Sequence, residues 1–277
     1  MSSIPKTSEL GFWEVLNPPI YLVSLLPGLV VIQWNHYRFG WGLLLGVIGV
    51  ILLQHGINVF NDLVDGQRGA DSEKRESWLL YQQKPERVRL HGGVTLVMGF
   101  VAGVVGLWIT ETLWIFPLVG LMTLLGVSYN LGPKPISYGK LGEWVTGICY
   151  GPGVFIGYWV LSGRDILDWR VLAGSIGCGA IAVSCLLSHQ PKQILTDAAV
   201  GKNSFAVRHG AQSTLRWARG TLILFFLCIS LGAPNETNWI PLLTGLLLLS
   251  VAALWTPVKP KNQLIFGLAG ATWGFLC

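Results

Sequence analysis

The sequence predicts an all-α integral membrane protein, and three observations carry that prediction. Of 277 residues, 52% are hydrophobic and only 12% are charged, about half the roughly 25% charged residues of a soluble domain. Apolar runs recur along the whole length, with a mean hydropathy of +0.54. The basic residues fall almost entirely between alternate runs. This balance excludes a soluble enzyme, a disordered chain and a nucleic-acid reader built on the net charge of +5, so no nucleic acid is expected among the partners.

A helix crosses the hydrocarbon with about 20 mostly apolar residues. Nine segments approach that length, at 18–35, 41–60, 92–110, 113–131, 144–162, 170–188, 217–233, 238–255 and 263–277. The stretch before the first is mixed, with Glu9 and Glu14 ahead of any apolar run, and does not read as a cleavable signal peptide. Nine spans put successive loops on opposite sides, and positive charge marks the cytoplasmic one. Sixteen of the Lys and Arg residues lie in the N-terminal stretch, in the loops after spans two, four, six and eight, or at the edge of span seven, against three (Arg38, Arg164 and Arg170) on the other side. The N-terminus and the even loops are therefore expected in the cytoplasm, with the protein in the inner (plasma) membrane. The five cysteines follow no metal or redox spacing and read as small buried hydrophobes.

Span two runs into the first polar motif, Asn58 to Asp71, at the head of the stretch 58–75. If the helix continues, Asn58, Asn61, Asp62 and Asp65 fall at i, i+3, i+4 and i+7 and share one face. Gly66 and Gly69 are expected to break the helix and fold Asp71 back. Ionisable groups at the mouth of a membrane bundle are costly, and a hard divalent cation explains them: Mg²⁺ takes oxygen ligands and bridges carboxylates to phosphate. The plainer reading is a solvated helix end with Asp caps. Arg68, Lys74 and Arg75 are either phosphate partners or positive-inside residues facing lipid headgroups.

After span six the segment 188–208 carries Asp197 and, following Gly201, Lys202. An Asp can hold a further metal and a Lys can neutralise a leaving diphosphate. Gln190 and Gln193 offer amide oxygens. His189 reads more readily as a polar helix cap than as a catalytic base, and His55 as a hydrogen-bonded packing residue. Between spans four and five, the Pro- and Gly-rich stretch from Tyr129 to Glu143 predicts a tight turn from which Lys134 and Tyr138 can face the same basin, or serve as interfacial anchors.

These motifs, in this order, resemble the UbiA superfamily of intramembrane aromatic prenyltransferases over essentially the whole chain. Its Asn-Asp-x-x-Asp motif with a further Asp is matched by Asn61, Asp62, Asp65 and Asp71. The Gly69-Ala70-Asp71 ending, the residues Tyr129, Gly132-Pro133, Pro135, Tyr138, Leu141-Gly142-Glu143 and Gly151-Pro152, and Asp197-Ala198-Ala199-Val200-Gly201-Lys202 followed by Ala206-Val207-Arg208 are similar to the menaquinone and phylloquinone branch. Where many members carry a second Asp four residues before Asp197, this chain has Gln193.

The resemblance implies nine transmembrane helices around a central chamber, in one domain spanning 1–277 with two helical halves. It implies Mg²⁺-dependent transfer of a phytyl or polyprenyl group from its diphosphate to 1,4-dihydroxy-2-naphthoate, with decarboxylation. Asp62, Asp65, Asp71 and Asp197 would hold Mg²⁺. Asn61, Asp62, Asp65, Arg68 and Lys202 would carry the chemistry. Asn58, Arg68, Lys134, Tyr138, His189, Gln193 and Lys202 would bind substrate. A dry, aromatic-lined chamber would shelter the allylic cation, with lipid-facing gaps admitting the tail from the bilayer. The alternatives are another aromatic acceptor, a terpene cyclase of the same superfamily, or a cation-coupled carrier. Carriers usually place their charged site near the midplane, whereas these acids cluster at one face.

Overall fold

The computed structural model describes residues 10–35, 40–70, 74 and 76–233. The two C-terminal spans expected at 238–255 and 263–277 lie outside the described residues, as do Asp71 and Arg75. Among the described residues every regular element is helical. In chain order these are α1 (Phe12–Leu16), α2 (Leu22–Asn35), α3 (Trp41–Arg68), α4 (Trp78–Gln82), α5 (Pro85–Ile109), α6 (Phe116–Asn130), α7 (Gly142–Ile148), α8 (Ile156–Leu161), α9 (Trp169–His189), α10 (Ile194–Ala199) and α11 (Phe205–Gly232), joined by short 3₁₀ and π turns.

Six stretches are long and apolar enough to cross a membrane: Trp41–Arg68, Pro85–Ile109, Leu113–Asn130, Gly142–Leu161, Trp169–Lys192 and Phe205–Gly232. With the shorter apolar helix α2 they correspond in order to the first seven expected spans. Several helices outrun the apolar segments that announce them. α3 continues to Arg68 and stops at Gly69, whose φ of +84° is a left-handed cap suited to glycine. Gly66, expected as a breaker, stays helical, and its missing Cβ makes room for Leu79, which would lie within 2.7 Å of one. α5 starts at Pro85, which fits a first helical turn, and α11 starts at Phe205, with a kink at Gly210. Apolarity marks the length inside the hydrocarbon, whereas these helices extend polar turns beyond it.

The fifth span is not a uniform α-helix. Between α7 and α8 the chain makes a π turn, Cys149–Phe155, around Pro152, which has no N–H for an ordinary helical bond. A Cβ on Gly151 there would meet the Ser175 carbonyl oxygen of α9 at 2.4 Å, so only glycine lets the two backbones approach. α3 and α5 touch in a similar way. Gly42, Gly49 and Gly56 on one helix face Gly106, Gly99 and Gly92 on the other, and a Cβ on Gly99 would lie 2.7 Å from the Gly49 oxygen. Without a hydrophobic drive between helices in lipid, small-residue seams of this kind supply the packing contact.

The largest buried cluster joins α2, α3, α8, α9, α11 and the π turn through Leu26, Trp34, Leu43, Phe155, Trp159, Ile181 and Phe225. Val97 and Val101 of α5, Leu124 of α6, Leu172 of α9 and Leu231 of α11 are exposed, an apolar exterior of the kind that meets lipid; the chain is an integral membrane protein. An apolar cavity of about 130 Å³ lies among α3, α5, α6, the π turn and α8. Glycine and aliphatic residues form most of its wall, with Phe100, Tyr150 and Tyr158 as its aromatic members. Among the described residues the tryptophans are elsewhere: Trp34, Trp78 and Trp159 are buried in packing clusters, while Trp13, Trp41, Trp108, Trp114, Trp144, Trp169 and Trp217 are exposed, where indole rings anchor to an interface.

Candidate active site

The polar end of α3 builds the site from one side. Continued helix brings Asn61 one turn from Asp65, and the Asn61 amide donates to Asp65 Oδ2 at 3.1 Å. The same oxygen accepts from the Lys202 ammonium at 2.9 Å, and Asp65 Oδ1 accepts from the Tyr138 hydroxyl at 2.8 Å. Asp65 is almost wholly buried, so three donors offset the desolvation of its charge.

The second half supplies the facing wall. After the turn at Gln190–Lys192, Gln193 caps α10 through its backbone oxygen, which accepts from the Asp197 N–H at 2.7 Å. This directs the buried Asp197 inward, where its Oδ2 accepts from the Ser204 hydroxyl at 2.9 Å. Among the described residues Asp197 Oδ1 is buried without a hydrogen-bond partner, and it lies 3.7 Å from the Lys202 ammonium. Gly201, at φ +72°, reverses the chain after α10 so that Lys202 points back between the two carboxylates. Burial pushes the Asp197 carboxyl above the usual aspartate range, against the opposing pull of Lys202 and Ser204.

The turn between α6 and α7 closes the third side. The Asn203 N–H donates to the Tyr138 backbone carbonyl oxygen at 3.0 Å. The Tyr138 ring lies under the exposed Arg68 guanidinium at 4.3 Å and near the Lys202 ammonium at 5.4 Å. Asn61, Asp65, Arg68, Tyr138, Asp197 and Lys202 are therefore brought together.

Asp62 faces another way. It shares the helix but turns its oxygens to the Lys74 ammonium and to the Trp78 N–H, the latter at 2.8 Å, tying the start of α4 to α3. Asn58 lies part-buried one turn further in. His189 bonds the Cys185 carbonyl of its own helix at 3.0 Å, the cap geometry expected of it. Lys134 is exposed in its turn, and no hydrogen bond or ion pair among the described residues ties it to the cluster.

Two networks have no counterpart among the sequence-derived site residues. Buried Glu143, at the start of α7, accepts from Gln190 Nε2 at 3.0 Å and from the Phe205 N–H at 2.8 Å, and pairs with Arg208 at 3.3 Å. Gln190 in turn accepts from the Ala206 N–H, so this group clamps the loop carrying Asp197 and Lys202. The sequence signals were Gln190 as a source of amide oxygen and the place of Glu143 and Arg208 in the motifs of the resemblance. The other is a relay of Tyr21, His55, His91 and Gln82, with links of 2.6, 3.0 and 2.8 Å. It is packed around Trp78 and fits the packing role read for His55.

The oxygen donors suit a hard divalent cation. Asp65 and Asp197 each aim one oxygen at a point already holding a positive charge, and one of these oxygens lacks a hydrogen bond. Among the described residues no three His, Cys, Asp or Glu side chains gather closely enough to hold a metal alone. A cation here would complete its shell with water and phosphate oxygens, as Mg²⁺ commonly does.

Residues 21–265 match the family described as the UbiA prenyltransferase family. The 1,4-dihydroxy-2-naphthoate octaprenyltransferase of Mycobacterium tuberculosis is 29% identical over 208 residues, covering 74% of this chain and 70% of that protein. The enzyme of the same name from Haemophilus influenzae is 31% identical, covering 72% and 69%. The 2-carboxy-1,4-naphthoquinone phytyltransferase of Synechocystis is 28% identical, covering 87% and 80%. Among solved structures, a UbiA homolog from Archaeoglobus fulgidus bound to GPP and Mg²⁺ shares the fold, with a TM-score of 0.64 at 14% identity over 95% of this chain and 98% of that one.

Proposed function

Because the chain belongs to the UbiA prenyltransferase family, we propose that it transfers a phytyl or polyprenyl group from its diphosphate to 1,4-dihydroxy-2-naphthoate, with loss of the acceptor's carboxylate as carbon dioxide. The supporting observation is the meeting of Asp65 from the first half and Asp197 from the second across one buried ammonium. A phosphate-competent site of that kind at the end of an apolar bundle serves a substrate with an anionic head and a hydrocarbon tail. The names of the naphthoate-prenylating relatives support the acceptor.

In this reading Asp65 and Asp197, with the Asn61 amide oxygen beside them, hold Mg²⁺; Asp62 and Asp71 are the further carboxylates of the set. When bound, the cation neutralises charge on the leaving diphosphate. Lys202 and Arg68 donate to the diphosphate oxygens as the allylic C–O bond breaks, placing fixed positive charge where negative charge develops. Tyr138 orients both, by its hydroxyl on Asp65 and its ring beneath Arg68. The apolar cavity beside Gln54 and Ile57, inward of Asn61 on α3, takes part of the tail and keeps water from the allylic cation. Asn58, His189 and Gln193 are the remaining candidates for substrate contacts. The two helical halves work as one catalytic domain, with the site and the N-terminus on the cytoplasmic side of the inner membrane, as the asymmetry of basic residues supports.

The test is turnover in detergent or membranes with 1,4-dihydroxy-2-naphthoate and geranylgeranyl, phytyl or longer prenyl diphosphates, with Mg²⁺ and with chelator. A prenylated, decarboxylated product that disappears with chelator is expected. Diphosphate release without any aromatic acceptor would replace transfer with cyclisation, and product from a different aromatic acid alone would change the acceptor.

A further inference from the structure

Lys202 occupies the point to which both halves direct a carboxylate. Its ammonium lies 2.9 Å from Asp65 Oδ2 and 3.7 Å from Asp197 Oδ1, with side-chain exposures of 11% for Lys202 and 2% for each acid. The other oxygens are committed, Asp65 Oδ1 to Tyr138 and Asp197 Oδ2 to Ser204. Asp197 Oδ1 has no hydrogen bond and faces the ammonium across a gap longer than a hydrogen bond. Two carboxylates and one ammonium leave the group with a single net negative charge. A divalent cation added beside the ammonium would invert that charge and set two cations a few ångströms apart in a site of low dielectric, where repulsion is strong. Lys202 has a flexible four-carbon stem and a compact charge, so it can leave. The neighbouring positive charge is the exposed Arg68 guanidinium, on the same Tyr138 ring, so an arriving diphosphate would lie between the two.

We infer that Lys202 is an internal counter-cation that holds the divalent-metal position until a diphosphate draws it away, so that metal and diphosphate bind as a coupled pair. The inference rests on the metal and diphosphate sites of the proposed function and adds an order to them. Metal alone must expel a paired ammonium with no new anion to receive it, whereas metal with diphosphate exchanges one ion pair for another. By linkage the coupling is reciprocal: the metal tightens diphosphate by the same factor.

The experiment uses the full chain purified in detergent, Mn²⁺ as an EPR-detected stand-in for Mg²⁺, and inorganic pyrophosphate. Wild type should bind Mn²⁺ weakly alone and about tenfold or more tightly with pyrophosphate, within the usual range of such couplings. Lys202→Met, or Lys202→Gln, should bind Mn²⁺ about tenfold more tightly than wild type without pyrophosphate and lose most of the coupling, while Lys202→Arg restores it. In the wild type itself, saturating Mn²⁺ without pyrophosphate should raise the acetylation rate of Lys202, followed by mass spectrometry; this needs no variant to fold. Uncharged variants with wild-type Mn²⁺ affinity, or acetylation that Mn²⁺ does not change, overturn the counter-cation while leaving prenyl transfer standing if turnover persists. No Mn²⁺ binding under any condition overturns the metal site and the inference together. Intact coupling without prenyl transfer overturns only the reaction.

Discussion

At the scale of single residues the two carboxylates that meet at Lys202, Asp65 and Asp197, carry different burdens. Asp65 is held by three donors, and an amide in its place removes the charge and one of the two oxygens that accept from them. Asp65→Asn is expected to lower kcat by at least about 10²-fold, comparable to losing one preorganised electrostatic contact at a reacting centre. Turnover at saturating Mg²⁺ measures it. Asp197 is different because burial raises its carboxyl above the ordinary value. A raised folded-state value means that protonation favours the fold: this group weighs against stability at neutral pH, and that cost fades as pH falls through its folded value. The proton also removes a metal oxygen. Activity should therefore fail on the acid side at a higher pH than an ordinary aspartate would require, and added Mg²⁺ should move that limb to lower pH. A pH–rate profile at two Mg²⁺ concentrations checks this. Asp197→Asn should lose activity while melting no lower than wild type at pH 7, because Lys202 keeps Asp65. A large drop in melting temperature would reverse the assignment of Asp197 as a functional rather than stabilising charge.

Among the elements, the α3–α5 seam and the Glu143 clamp hold these side chains in place. Gly99→Leu would drive a side chain into the Gly49 backbone of α3 and is expected to cost about 1–3 kcal/mol, read as a lowered melting temperature in detergent. Glu143→Ala leaves the Gln190 amide, the Phe205 N–H and Arg208 without their acceptor; about 1–3 kcal/mol is expected, together with reduced turnover as the Lys202 loop loosens. The apolar runs foretold the six described spans and the shorter apolar helix α2 in order, because burial in hydrocarbon requires about 20 apolar residues wherever it occurs. The helical turn past Gly66 to Arg68, the polar extension 205–216 and the π turn at Pro152 stayed hidden because their geometry is settled by neighbours rather than by local hydropathy. The same limit applied at the site. Asn61 and Asp65 were placed on one face by spacing alone, but the diversion of Asp62 to Lys74 and Trp78 depends on where α4 docks. The union of Asp65 with Lys202 depends on how two halves meet.

For the whole molecule, the small apolar cavity is comparable in size to an engineered cavity of about 150 Å³ that accepts a benzene, so it accounts for only part of a long tail. Gly103 and Gly157 line it, and nothing lies within 4 Å of where a Cβ would sit on either. Gly103→Leu or Gly157→Leu should fill it without pressing on backbone. Competition between prenyl diphosphates of different length should then shift toward shorter donors; an equal loss for all donors would place the tail elsewhere. The ion pair between residues 137 apart in sequence also bears on how the protein is made. Chains enter the membrane N-terminal half first, and α3 can meet α5 through their glycine seam as soon as both are inserted. Until Lys202 emerges, Asp65 waits at the bundle mouth without its counter-charge. The pair thus closes when Lys202 emerges, ahead of Phe205–Gly232, so that the two halves are joined before the bundle is complete.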